Sequence, residues 1–208
     1  MKNSKRHWLL VLAITTAALL ISCQMAQGLQ TTKTSPTYEG LADLIYQDPA
    51  EVDNSNLPIT PVDSLGITGP SAAPEVDITK YRLTVDGLVA HPLSLTYEAL
   101  LAYPTVTEVV LLICPGVFAD NAQWTGVPVA TILAEAGIKP EASQVHFYAV
   151  DGYHISLSLK SAQQEGVFLA HTVNGRILPA KHGYPLRLVA RGQYGDKWIK
   201  WVERIEVR

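Results

Sequence analysis

The sequence contains few cysteines and lacks the common signatures of haem, zinc and nucleotide sites. Its 208 residues include two cysteines, Cys23 and Cys114. Two distant thiols cannot build an iron–sulfur cluster or a zinc cysteine cluster, and no Cys-x-x-Cys-His segment is present for covalent haem. There is no Walker loop, no Gly-x-Gly-x-x-Gly fingerprint, no Gly-x-Ser-x-Gly elbow and no His-Glu-x-x-His pair. These absences exclude many motif-based enzyme classes.

The N-terminus has the pattern of an export signal. Basic residues at positions 2, 5 and 6 precede an apolar run at 8–21, which ends in Leu20-Ile21-Ser22-Cys23. This ending resembles a lipobox and predicts a lipoprotein signal peptide at 1–22, with Cys23 as the lipidated first residue of the mature protein. An ordinary signal peptide with an incidental cysteine is the alternative. Residues 4–10 resemble a twin-arginine signal with Lys5 in place of the first arginine, and a general secretion signal fits equally.

Composition divides the rest of the chain into three parts. Residues 23–37 are polar and predict a flexible tether from the membrane. Residues 38–80 contain scattered Pro, Gly, Asp and Asn, so we expect an irregular segment that wraps over the domain surface. Residues 81–208 predict the ordered domain, and a hydrophobic content of 48% supports a globular fold.

Charge is distributed unevenly along the chain. Residues 38–170 contain 4 Lys and Arg against 16 Asp and Glu, whereas residues 171–208 contain 8 against 3. The acidic majority argues against nucleic acid as a partner. The basic end could be a solvated face, but its glycines and histidine favour a local anion site.

Turn signals and apolar patterns predict many strands and few helices. Thr96 caps a short helix that ends at Ala102, and Pro128 begins an amphipathic helix that ends at Gly137. Residues 105–113 form a nearly continuous apolar run, which predicts a strand buried on both faces. Further strands are predicted at 81–85, 93–95, 145–150, 153–159, 168–173, 177–178, 186–190 and 198–207. The predicted class is α+β, with β-rich mixed sheets and a few short helices.

Cys114 lies at the end of the 105–113 run, directly before Pro115-Gly116. A free cysteine often simply packs in a core. Here the Pro-Gly turn predicts a side chain presented beyond the end of the strand, where many sheets bind ligands. We expect a loop at 116–126 to provide a polar pocket wall through its side chains Asp120, Asn121, Gln123 and Trp124.

A second cluster of candidate residues lies near the C-terminus. His182 and Arg187 flank a turn shaped by Gly183 and Pro185, and three more cations follow at 191, 197 and 200. Arg grips a phosphate through a bidentate fork, whereas Lys supplies a point charge. The cluster therefore predicts a phosphate site, with a hairpin whose charges face water as the alternative.

The order of these motifs resembles the molybdopterin-binding domain of the sulfite oxidase family of oxidoreductases. The resemblance covers residues 81–207 and rests on six ordered elements: Cys114, Trp124-Thr125-Gly126-Val127-Pro128, Asp151-Gly152-Tyr153, Asn174-Gly175-Arg176-Ile177-Leu178-Pro179, His182-Gly183-Tyr184-Pro185-Leu186-Arg187 and Lys200-Trp201. It implies the sulfite-oxidase-type fold and a molybdenum–molybdopterin cofactor.

The resemblance also implies roles for individual residues. Cys114 would be the catalytic thiolate and the protein ligand of molybdenum, beside two dithiolene sulfurs of the pterin. The implied cofactor-binding residues are Asp151, His182, Arg187, Trp198, Ile199 and Lys200. The implied activity is a two-electron, oxygen-atom-transfer-type reaction on a small-molecule oxo-compound. No haem or dimerisation domain follows residue 207, so we expect a separate electron-transfer partner.

Two departures from the family pattern leave alternatives open. Sulfite-oxidising members carry an arginine just after the cysteine, and residues 114–124 contain no Arg or Lys. Sulfite is therefore not the expected substrate. The segment Asn54-Ser55-Asn56 is the candidate for the family's N-terminal contact to the pterin. One alternative is a cofactor- or ligand-binding lipoprotein of the same fold without redox activity, and another is a β-rich lipoprotein in which Cys114 only packs.

Overall fold

Two β-sheets organise the computed structural model, which describes residues 40–208. The first sheet contains five strands in the order β2-β1-β10-β5-β6. Its strands are β1 (Leu83–Gly87), β2 (Leu93–Leu95), β5 (Gln144–Ala149), β6 (His154–Ser158) and β10 (Val202–Val207). The pair β1–β10 is parallel, and its other pairs are antiparallel. The predicted signal peptide, Cys23 and the tether lie outside the described residues.

The second sheet begins with a long hairpin. Its strands are β3 (Val106–Cys114), β4 (Phe118–Pro128), β7 (Val167–Val173), β8 (Arg176–Ile177) and β9 (Arg187–Ala190). They run β3-β4-β7-β8, and β9 also pairs with β7. The expected loop at 116–126 was wrong, because most of that segment is strand β4. Strand β4 contains polar residues, but it pairs with the apolar strand β3. The register runs from Cys114 opposite Phe118 to Val106 opposite Gly126.

The helices are short, and the first two follow the predicted boundaries, whereas the third was not predicted. Helix α1 (Tyr97–Leu101) is capped by Thr96, whose hydroxyl accepts a hydrogen bond from Ala99 N. Helix α2 (Val129–Ala136) ends at Gly137, which takes the left-handed conformation with φ +69°. Helix α3 spans Leu159–Ala162. Within residues 40–208, no helix combines the length and apolar character needed to cross a membrane. The predicted class, β-rich α+β with few short helices, is confirmed.

Residues 40–80 cover the hairpin rather than forming strands of their own. Two 3-10 helices occur here, Ala42–Tyr46 and Val62–Ser64. Leu41 packs with Leu111 and Ile113 on one face of β3, whereas Val110 and Leu112 pack on the other face with the core of the second sheet. The second half of β3 is therefore buried on both faces, as predicted. Its first half alternates between partly buried and exposed residues, so the prediction was wrong there.

Candidate active site

A cavity of about 370 Å³ lies where the end of β3 meets the β5–β6 turn and the segment that precedes β10. Six of the seven residues predicted to hold a cofactor or metal line it: Cys114, Asp151, Arg187, Trp198, Ile199 and Lys200. These residues come from four separate parts of the chain. Folding therefore brings together what the sequence separates by up to 86 positions.

Cys114 enters the cavity because a tight turn ends its strand. Val117 N donates to the carbonyl of Cys114 at 3.0 Å, and Gly116 takes a φ of +71°, which suits glycine. The thiol is half-buried. Burial raises its pKa, while the nearby Thr68 side chain and the positive charge of Arg187 act in the opposite direction. Thr68 and Arg187 line the same cavity as the thiol.

Arg187 is the first residue of β9 and is almost fully buried. Its guanidinium carbon lies 5.5 Å from the centroid of the Trp124 ring and 5.9 Å from that of Trp198. Its Nη1 donates to the carbonyl of His182 at 3.2 Å, but its Nε is buried without a partner. Burial lowers the pKa of Arg187 to about 10 even though Asp120 acts to raise it. A buried cation whose N–H donor has no partner is destabilising, so a bound anion at this position would be favourable.

Lys200 reaches the same cavity through a close approach of two segments. Leu188 N donates to Ile199 O, and Val202 N donates to Leu186 O, so residues 199–202 run beside the start of β9. Gly183 lies between them: a Cβ there would be 3.1 Å from the Cβ atoms of both Arg187 and Lys200. Burial, with the charge of Arg187, lowers the pKa of Lys200 to about 8.

His182 is the predicted site residue that does not line the cavity. It is buried behind Arg187, at the end of the 3-10 helix Ala180–His182. Burial and then the charges of Arg187, Lys200 and Lys181 lower its pKa to about 4, so the ring is neutral at pH 7. In the structure it supports Arg187 through its backbone carbonyl, and its direct contact with a cofactor stays a prediction.

Two carboxylates, Asp151 and Asp196, also line the cavity. Asp151 lies in the β5–β6 turn, where its Oδ1 accepts from Tyr153 N at 3.1 Å. Tyr153 also lines the cavity, and its hydroxyl donates to the backbone carbonyl of Asp196 at 3.0 Å. Asp196 forms an ion pair with its neighbour Lys197 at 3.3 Å. The positive side chains of the cavity lining are thus Arg187 and Lys200.

Residues 60–70, which we call the strap, were missed as part of the site. Thr68, Gly69 and Pro70 line the cavity, and Lys200 Nζ donates to the carbonyl of Thr68 at 2.7 Å. The strap returns toward the site because Gly66 N donates to Asp120 Oδ2 at 2.7 Å. The sequence signal was the glycine pair at 66 and 69 with Pro70, which is typical of turns.

Several predicted contacts have other roles. Asp120, Asn121, Gln123 and Trp124 do not line the cavity; Asp120 and Asn121 are buried and bind the N-terminal segment instead. Asn54 Nδ2 donates to Val109 O and Asn121 Oδ1, so the expected pterin contact at 54–56 was wrong in this structure. Arg191 pairs with Glu108 beside a different cavity.

The cavity fits a cofactor that combines a soft metal with an anionic group. Cys114 offers a sulfur, the ligand type that soft metals prefer. Arg187 offers a buried Nε without a partner, and Lys200 offers a second cation at the same cavity. A molybdopterin phosphate would satisfy both cations, and the metal would bind the thiolate. The residues present therefore agree with the cofactor that the sequence implied.

Comparison with known families decides the assignment. The family model described as the oxidoreductase molybdopterin binding domain matches residues 70–208. The chain belongs to this family. The predicted family, the sulfite-oxidase-type fold, the oxidoreductase class and the molybdopterin cofactor are thereby confirmed.

Individual relatives of the molybdopterin-binding family agree with this assignment. The chain is 32% identical over 133 residues to YedZ1 of Azospira oryzae, which is named as a protein-methionine-sulfoxide reductase subunit; the match covers 64% of the chain and 51% of YedZ1. It is 36% identical over 132 residues to the uncharacterised oxidoreductase YuiH of Bacillus subtilis, with 62% and 66% covered. The chain thus spans about half to two thirds of these relatives.

A solved structure shows the same fold in three dimensions. The sulfane dehydrogenase SoxCD of Paracoccus pantotrophus superposes with a TM-score of 0.68 at 30% sequence identity. The match covers 78% of this chain and 46% of the SoxCD chain.

Proposed function

We propose that this protein is an extracytoplasmic, membrane-tethered molybdenum oxidoreductase that transfers an oxygen atom to or from a small oxo-compound. The observation that carries the proposal is the shared cavity of Cys114, Arg187 and Lys200, in which the Nε of Arg187 has no protein partner. The bound cofactor supplies the two-electron oxygen-transfer chemistry. The chain supplies a thiolate ligand, cations for the phosphate and a partly closed cavity.

The charges around the cavity favour a neutral substrate over an oxyanion. Arg187 and Lys200 are the cations of the lining, and both are assigned to the cofactor phosphate. Asp196 acts on the Cys114 thiol in the opposite direction to Arg187, although its effect is the smaller of the two. Much of the remaining lining is apolar or aromatic, including Pro115 and Trp198. We therefore infer a neutral S-oxide or N-oxide as the substrate class.

The reductive direction gives a balanced reaction. A sulfoxide takes up two electrons and two protons, its S–O bond breaks, and the oxygen leaves as water. The electrons come from a separate partner protein, a role supported by the relative that is named as a subunit of a reductase. In the opposite direction, water supplies the oxygen and the partner accepts the electrons.

The location is inferred from the N-terminal sequence. Cys23 ends a lipobox-like segment after an apolar run, so we propose that a lipid on Cys23 anchors the protein outside the cytoplasm. Mass spectrometry of the N-terminus should find an acylated Cys23. The variant Cys23→Ser should leave the membrane fraction. A wild-type protein that stays soluble with an unmodified N-terminus would contradict the anchor.

The substrate class is tested with an artificial electron donor. Protein produced in a host that makes molybdopterin is mixed with reduced viologen dye and either dimethyl sulfoxide, trimethylamine N-oxide or nitrate. We expect dye oxidation with the neutral oxides and little with nitrate, and none in the Cys114→Ser variant. Turnover restricted to nitrate would contradict the neutral-substrate proposal. A loaded protein inactive in both directions would favour the binding-only alternative.

A further inference from the structure

Trp201 has a backbone conformation that bulky residues rarely adopt. Its φ is +55°, in the left-handed region, and within residues 40–208 the other non-glycine residue with a positive φ is Asn174. Asparagine tolerates this region, whereas an aromatic residue adopts it only where the surrounding structure offsets the strain. Such strained residues concentrate at functional sites, and Trp201 lines the cavity that contains Cys114.

The left-handed backbone at Trp201 brings two consecutive side chains to one cavity. Successive residues of an extended chain point to opposite sides, so a regular strand through Lys200 and Trp201 would separate their side chains. Instead both side chains line the cavity, and Lys200 Nζ lies over the Trp201 ring, 4.3 Å from its centroid. At this distance the ring face attracts the ammonium, and tryptophan does so more strongly than the other aromatic side chains.

Three hydrogen bonds fix Trp201 to separate parts of the chain. Its indole Nε1 donates to the carbonyl of Ala180 at 2.7 Å, and its backbone N donates to Gly183 O at 3.3 Å. Its own carbonyl accepts from Val150 N at 3.0 Å, directly before the β5–β6 turn. Only 2% of the residue is exposed. Because both its backbone and its ring are held, Trp201 offers its neighbour a rigid aromatic face.

The ammonium of Lys200 keeps one N–H donor for an anion. Its Nζ donates to the carbonyl of Thr68 at 2.7 Å and to that of Lys181 at 3.4 Å. Among residues 40–208 these two carbonyls are its hydrogen-bond acceptors, and an ammonium has three donors. The lysine side chain is long and flexible, so the adjacent ring limits the positions that its charge can take.

We propose that Trp201 is a positioning residue, which holds the Lys200 ammonium at the cavity and so keeps its remaining N–H donor available to the anionic group of the cofactor. This inference rests on the proposed function, because it concerns the same phosphate. Trp201 carries no charge, and its single side-chain donor is already bonded to Ala180. Its contribution to cofactor binding is therefore made through Lys200.

A double-mutant cycle separates positioning from packing. Trp201→Leu removes the aromatic face, Trp201→Phe keeps a smaller one, and Lys200→Met removes the cation at similar side-chain length. Tyr46→Leu is the matched aromatic control, because Tyr46 is 80% exposed and does not line the cavity. The single variants and the double variant Trp201→Leu/Lys200→Met are produced as full-length proteins in a molybdopterin-competent host. Pterin per chain, the rate of pterin release and thermal unfolding are then measured, with released pterin detected by its fluorescence.

We expect Trp201→Leu to release pterin at least about fivefold faster than the wild type, because the attraction between ring and ammonium is lost. Trp201→Phe should release pterin at an intermediate rate, and Tyr46→Leu should match the wild type. In the Lys200→Met background, Trp201→Leu should change the release rate by less than about twofold, because the ring then has no ammonium to hold.

The inference is overturned if Trp201→Leu releases pterin as slowly as the wild type, or if it accelerates release by the same factor with and without Lys200. The second result would show that Trp201 acts through packing alone. Unchanged release from Lys200→Met would also overturn the inference. If Trp201→Leu does not fold, the cycle made with Trp201→Phe is judged by the same comparison. A well-folded wild-type protein without pterin would instead overturn the proposed function itself.

Discussion

The carboxylate of Asp120 accepts a hydrogen bond of 2.7 Å from the backbone N–H of Gly66, 54 residues earlier in the chain. This bond joins strand β4 to the strap. Asp120 also acts electrostatically on Arg187, although the ion pairs found within residues 40–208 do not include these two side chains. The buried carboxylate of Asp120 therefore binds the strap and also acts on the charge of Arg187 in the cavity.

Asp120→Asn should change how stability depends on pH. Burial raises the pKa of Asp120 to about 6, above the usual value of 3.8 for this side chain. The folded state therefore binds the proton more tightly, so this group's contribution to stability is present below pH 3.8 and is lost as pH rises through 6. Relative to the wild type, Asp120→Asn should gain up to about 3 kcal/mol between pH 4 and pH 7. Urea unfolding at the two pH values measures the gain. An equal difference between variant and wild type at both pH values would show that the pKa of Asp120 is not raised.

Gly66→Ala should lift the strap away from Phe118. The added Cβ would meet the aromatic ring at 2.2 Å, so either the strap or the ring must move. We expect a loss of about 1–3 kcal/mol in the free energy of unfolding, together with lower molybdenum content. Gly175→Ala is the control, because its Cβ would meet nothing within 4 Å and costs only the strain of a positive φ. Equal molybdenum contents in the two variants would contradict a role for the strap.

Arg187→Met should separate stability from cofactor binding. The variant is made in the Asp120→Asn background, so that no buried carboxylate loses its cation. Methionine is apolar and similar in length to arginine. The free energy of unfolding of the cofactor-free protein should therefore change by less than about 1 kcal/mol. Cofactor content should fall at least about tenfold, because the buried phosphate donor is lost. Arg187→Lys should recover part of it. Full retention of pterin by Arg187→Met would show that Arg187 does not hold the cofactor.

The sequence predicted the site residues better than it predicted what surrounds them. The positions of Cys114 and Arg187 follow from local signals, since a strand end before Pro-Gly and a Gly-rich turn both constrain the backbone nearby. His182 has similar local signals, yet it lies behind the cavity. Its pocket depends on tertiary packing that spacing along the chain does not encode.

The strap and strand β4 show the opposite case. Residues 118–124 read as a polar loop because Asp120 and Asn121 are strand residues that satisfy another segment's backbone. Their burial depends on residues 40–66 folding over the hairpin, an interaction between parts of the chain more than 50 positions apart. Without that segment the same polar residues would be typical of exposed structure. For the same reason Thr68 could not be placed at the cavity in advance.

Cys114→Ser should remove the metal and leave the fold intact. The side chain is half-buried at a strand end, and serine is close to cysteine in size. We expect the unfolding temperature of the cofactor-free protein to stay within a few degrees of the wild type, while molybdenum content falls to background and some pterin remains. Elemental analysis and pterin fluorescence of the denatured protein measure these quantities. Cys23→Ser, the matched thiol control, should retain molybdenum.

Molybdenum and pterin analysis of purified wild-type protein tests the central claim most directly. The protein is produced in a host that makes molybdopterin, and its folding is checked by circular dichroism. We expect about one molybdenum and one pterin per chain, because the sulfur, the two cations and the cavity together hold one cofactor. A well-folded protein that contains neither would contradict the account.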